Sequence, residues 1–101
     1  MRLSSVIEQH EVEEGIVADV RDFINMITVS KAIVRELEHA VEQAQAHNRK
    51  AHEYRLELRT KLEAIRNGYK QMYNTRREQH AIDDIVDGFV QALRQHDPLF
   101  H

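Results

Sequence analysis

The chain has no cysteine and no tryptophan, one proline and three glycines in 101 residues. Without cysteine there is no disulfide framework, thiolate zinc site or thiol nucleophile. With so little proline and glycine, the chain lacks the turn chemistry of a many-stranded sandwich or barrel. Glycine-rich phosphate loops are excluded as well, because Gly15, Gly68 and Gly88 stand alone. A Gly-x-Ser-x-Gly nucleophile elbow is absent. No apolar run approaches the roughly 20 residues needed to span a bilayer. The opening Met1–Gly15 also lacks the apolar centre of a signal peptide, so a cytoplasmic protein is expected.

What the sequence does have is helical periodicity. Stepping by four and three from Ile16 gives Val20, Phe23, Ile27, Ser30, Val34, Leu37, Val41, Ala44, Asn48, Ala51, Arg55, Leu58, Leu62, Ile65, Tyr69 and Met72. Only Ser30, Asn48 and Arg55 break the apolar run. Such a stripe predicts long amphipathic helices with coiled-coil character. Around Met26, Val29 and Ile33 the pattern is apolar nearly all round. Residues 23–34 are therefore expected to be the most buried part of the domain or an oligomer interface. Their β-branched content leaves a strand there as the competing prediction.

The boundaries follow from local chemistry. Ser5 and Glu8 form a capping-box pattern that starts a helix near Val6, with Gly15 either ending it or lying inside a continuous one. Residues 43–50 offer almost nothing to bury, which predicts a turn at 45–50 with Asn48 as its left-handed residue. An unbroken helix over 16–66 would be about 75 Å long and would need an elongated oligomer to cover it. Asn67-Gly68 is a candidate cap for the next helix, which otherwise runs on toward Asn74. Thr75 and Glu78 form a second capping box, and Asp97-Pro98 ends the last helix. The expected fold is all-α: a long antiparallel helical hairpin or three-to-four-helix bundle. Its single domain, 1–101, has helices at about 5–14, 16–46, 51–73 and 76–96. The tail Leu99-Phe100-His101 is expected to be mobile or to dock on a partner.

Charge is distributed unevenly. Residues 1–48 carry four basic and nine acidic side chains, residues 49–77 nine and three, and residues 78–101 one and five. This order suits a basic middle helix lying antiparallel between two acidic neighbours. The rival reading is that the basic third faces an external anion. Arg55, Arg59, Arg66 and Lys70 then form one stripe, extended by Arg49, Lys50, Arg76 and Arg77. Tyr54, Tyr69 and Tyr73 would interleave with bases.

Seven histidines raise the question of metal. Glu36 and His39 make a Glu-x-x-His pair with Glu42 nearby, but the second pair that a di-iron bundle requires is missing. His80, Asp84 and Asp87 share a face on which local ion pairing with Arg76 and Arg77 is the simpler role. His47 and His52 are poorly spaced. Glu11, Glu14, Asp84 and Asp87 resemble magnesium-binding acidic pairs only faintly. No cofactor and no enzymatic activity are expected. What remains is recognition of other proteins by amphipathic helices, of adaptor, chaperone, antiactivator or inhibitor type, with a homodimer favoured. The interface is assigned to Phe23, Met26, Ile27, Val29, Ile33, Val34 and Leu37. The nucleic-acid stripe is the alternative.

Overall fold

The computed structural model describes residues 14–101, and side chains from Met26 onward. Three helices follow one another: α1 (Glu14–His47), α2 (Ala51–Met72) and α3 (Arg76–His96). There is no strand among the described residues, and residues 23–34 are helical. The helix expected at 5–14 and its Ser5/Glu8 cap lie outside the described residues, apart from Glu14 itself. Three helices are therefore described where three or four were expected. Gly15 lies within α1.

The α1–α2 turn spans residues 48–50. Asn48 does not adopt the expected left-handed conformation; no described non-glycine residue has positive φ. Its side chain makes the turn instead. Nδ2 donates to the carbonyl of Ala44 at 2.9 Å and to Glu57 Oε1 at 3.1 Å. One amide thus satisfies an orphan carbonyl of α1 and pins it to the second turn of α2. Lys50 is the N-cap residue of α2 and supplies no side-chain cap. α2 runs through Asn67-Gly68 to Met72, because its apolar face continues beyond the glycine. At the second turn the Thr75–Glu78 capping box forms, with Thr75 Oγ1 accepting from the Glu78 amide at 3.2 Å. Gln79 Nε2 donates to the carbonyls of Lys70 and Tyr73, tying the end of α2 to α3.

The three helices enclose one small core. From α1 come Val29, Ile33, Leu37, Ala40 and Ala44, at spacings of four and three. Leu58 and Leu62 enter from α2, Ile82 and Val86 from α3. Each fully buried leucine or isoleucine contributes on the order of 1.5–3 kcal/mol. The tail closes one end. Phe100, only 2% exposed, packs into this same core rather than staying mobile. Its amide bonds the carbonyl of Asp97, and its own carbonyl accepts from Arg94 Nε at 3.2 Å.

The α1 core seam is only partly the stripe traced by stepping in fours and threes from Ile16. Of Ile27, Ser30, Val34, Leu37, Val41 and Ala44, only Leu37 and Ala44 are buried. Val29, Ile33 and Ala40 take the other inward places. A helix can turn only one face to two neighbours crowded on the same side, so α1 is left with a second apolar seam. α1 is also long: its 34 residues span about 51 Å, against about 33 Å for the 22 residues of α2.

Candidate functional site

Three residues of the basic stripe, Arg55, Arg66 and Lys70, pair with carboxylates of α3 and its end. Arg55 binds the Asp97 carboxylate through Nε at 2.7 Å and a terminal nitrogen at 3.0 Å. Arg66 reaches Asp83 at 2.8 Å, Asp87 at 2.7 Å and Glu63 at 3.5 Å. Lys70 holds both oxygens of Asp83, at 3.0 and 2.8 Å. Hydrogen bonds from Lys70 and then Arg66 hold the Asp83 carboxyl below its ordinary range. The Asp97 carboxyl is lowered likewise, chiefly by its bond from Arg55. Burial lowers the Arg66 pKa, but bonds to Asp87 and Asp83 outweigh it and raise the value overall. Arg49, Lys50, Arg59, Arg76 and Arg77 stay exposed, with no ion-pair partner among the described residues.

The tyrosines are also engaged inside the fold. Tyr54, Tyr69 and Tyr73 are half-buried against the core. The Tyr69 and Tyr73 rings stack with centroids 6.3 Å apart. Burial, and then a hydrogen bond with Glu36, push Tyr69 up to about 12.

The carboxylate and histidine groupings are dispersed. His39 lies 3.9 Å from Glu42 on the open surface, while Glu36 bonds Tyr69. His80 is 4.0 Å from Asp84, and Asp87 is taken by Arg66. His47 bonds Glu57 at 3.0 Å. No group of three or more His, Cys, Asp or Glu side chains among the described residues is arranged to hold a metal ion. Glu11, and the side chain of Glu14, lie outside what is described.

The residues assigned to an interface fall into two groups. Val29, Ile33 and Leu37 fill the core and present no surface. Ile27 and Val34 remain on the surface at 41% and 39% exposure. Met26 is half-buried, and the side chain of Phe23 lies outside the described residues.

A more open feature lies between α1 and α2. Two adjoining hollows of about 260 and 510 Å³ share Glu36, Ala64 and Ile65. The first is completed by His39, Ala40, Gln43 and Lys61, the second by Gly68, Tyr69 and Met72. Ala64 and Gly68 are one turn apart, so α2 has low relief there. A methyl group built on Gly68 would meet nothing within 4 Å. Met72 is 71% exposed at the mouth. The groove therefore joins an apolar floor to a wall bearing Glu36 and His39. Periodicity alone did not single out Ala64 and Gly68, because small residues beside a stripe leave no hydrophobic mark. A third hollow of about 370 Å³ lies between α2 and α3, lined by apolar Leu62, Val90 and Phe100 and by charged side chains that include Arg59, Arg66 and Asp87.

No helix among the described residues is long and apolar enough to cross a membrane. No family model, curated protein or solved structure matches this chain.

Proposed function

We propose that the chain is a non-enzymatic protein-binding module that receives an amphipathic helix of a partner protein in the α1–α2 groove. The groove is the observation that carries this reading. Its floor of Ala64, Ile65 and Gly68 is low enough for a helix to approach closely, and Met72 stands exposed beside it. Helix-in-groove recognition uses such a surface, with apolar anchors at helical spacing and polar groups at the rim. Adaptor, chaperone, antiactivator and inhibitor roles all employ it. Acid–base or metal chemistry has no assembled set of groups to support it among the described residues.

The nucleic-acid reading has less support. Arg55, Arg66 and Lys70 already neutralise Asp97, Asp83 and Asp87, and binding phosphate would require breaking those pairs. What remains, Arg49, Lys50, Arg59, Arg76 and Arg77, is divided among the first turn, the middle of α2 and the start of α3.

Gly68→Leu tests the proposal. The leucine projects into open space, so the bundle keeps its helix content by circular dichroism while the groove is blocked. Affinity capture from the source cell with quantitative mass spectrometry should show one protein retained by the native chain and lost with Gly68→Leu. Leu56→Ser, which changes an exposed leucine of α2 outside the groove, should retain it. Identical capture by native and Gly68→Leu chains would defeat the proposal.

A further inference from the structure

α1 carries more apolar surface than its own bundle covers. Ile27, Val34 and Val41 are seven residues apart, so they align along one edge of the helix. This edge flanks the core seam of Val29, Ile33, Leu37, Ala40 and Ala44, against which Val41 also packs on its inner side. Ile27 and Val34 are exposed, and Val41 is half-buried. In sequence the edge continues toward the amino end through Val20, in the part of α1 that exceeds the length of α2.

Two charged residues flank this edge on one side. Lys31 and Glu38 are also seven apart, both exposed, and neither has an ion-pair partner among the described residues. Opposite charges spaced one heptad apart on one flank are self-complementary in a single arrangement. When a second α1 runs antiparallel with the two Val34 residues opposed, Ile27 of each faces Val41 of the other. Lys31 of each then approaches Glu38 of the other, twice over. A parallel pair would place the Lys31–Glu38 flanks of the two copies on opposite sides of the seam, where these charges could not pair.

We infer that the chain forms a two-fold antiparallel dimer along the Ile27–Val34–Val41 edge of α1, with the axis at Val34 and reciprocal Lys31–Glu38 pairs. The occupant of this edge is a second copy of the chain. The interface is isologous, so one patch serves both partners and the assembly closes at two. The inference rests on reading the chain as a protein-binding module and names one of its partners. The α1–α2 groove is left free for another.

The test uses the full chain, whose lack of cysteine makes any introduced thiol unique. Sedimentation should show a dimer. Under mild oxidation Val34→Cys should trap a covalent dimer, whereas Ile27→Cys should not, since its two copies would lie about 21 Å apart along the axis. Val34→Glu should raise the dissociation constant by at least about tenfold with helix content unchanged. Lys31→Glu should weaken the dimer, and adding Glu38→Lys should restore it. A native chain that sediments as a monomer overturns the inference. So does a dimer indifferent to Val34→Glu, or equal trapping through Ile27→Cys. Gly68→Leu separates the two proposals. A dimer that persists while partner capture is lost supports both, and a dimer abolished by Gly68→Leu would place self-association in the groove and overturn the α1 edge.

Discussion

Arg55, in the first turns of α2, grips the carboxylate of Asp97, 42 residues later, through two hydrogen bonds of 2.7 and 3.0 Å. Asp97 is the residue at which α3 ends, and its backbone and side chain shape the turn that delivers Phe100 to the core. One ion pair therefore joins the start of α2 to the closure of the bundle.

Because the Arg55 bond holds the Asp97 carboxyl below its ordinary value, the folded protein binds this proton less readily than the unfolded chain. The associated stability is present above the ordinary carboxylate pKa near 3.8 and is lost as pH falls through the lowered folded value. Asp83 adds to the same acid-side loss. Asp97→Asn should lower the melting temperature at neutral pH and make the melting temperature less sensitive to acid. Thermal melts between pH 7 and pH 2 check this, and an unchanged acid slope would show that the pair contributes nothing.

Leu37→Ala and Ile27→Asp should behave oppositely despite lying on the same helix. Leu37 is fully buried, so truncation should cost about 2–5 kcal/mol and lower the denaturant midpoint sharply. Ile27 is 41% exposed, so the aspartate is expected to leave helix content intact and to act on self-association alone. Urea titration beside sedimentation distinguishes the two effects.

Phe100→Ala should destabilise the bundle by about 3 kcal/mol, the lower end of the range for a buried phenylalanine, because the ring seals one end rather than the centre. Chemical denaturation measures it. A change too small to resolve would mean that the tail leaves the core readily in solution.

Gly68→Ala should raise stability by up to about 1 kcal/mol, the helix-propensity difference, since the added methyl meets open space. The midpoint of urea unfolding reports it. Loss of stability would indicate a close neighbour at Gly68.

At moderate salt the native chain should pass through a heparin column unretained, and Arg59→Glu should elute with it. Retention of the native chain with loss on Arg59→Glu would revive the reading of the basic stripe as a polyanion site.

Much of the architecture was legible because helix boundaries are local. Thr75 and Glu78 are three residues apart and cap α3 as their spacing predicts. Asp97-Pro98 ends that helix for a steric reason that needs no neighbour. The polar patch before Ala51 locates the turn, although Asn48 acts there by a side-chain bond and not by a left-handed backbone. Composition likewise excludes disulfides and thiolate chemistry at once.

What the sequence alone could not decide is which of two apolar edges of α1 turns inward. Residues 26–41 are apolar at both 27/34/41 and 29/33/37, and periodicity ranks neither above the other. The choice is made by two helices pressing on one side, which bury Val29, Ile33 and Leu37 and leave Ile27 and Val34 to the surface. The fate of the basic stripe was open for the same reason. Arg55, Arg66 and Lys70 read equally well as an anion site until α3 is brought alongside with Asp97, Asp83 and Asp87 in register. Local capping and helical period lie within a few residues of chain. The Lys70–Asp83 and Arg55–Asp97 pairs join residues 13 and 42 positions apart, the core joins residues from α1 and α3, and only the folded packing brings those together.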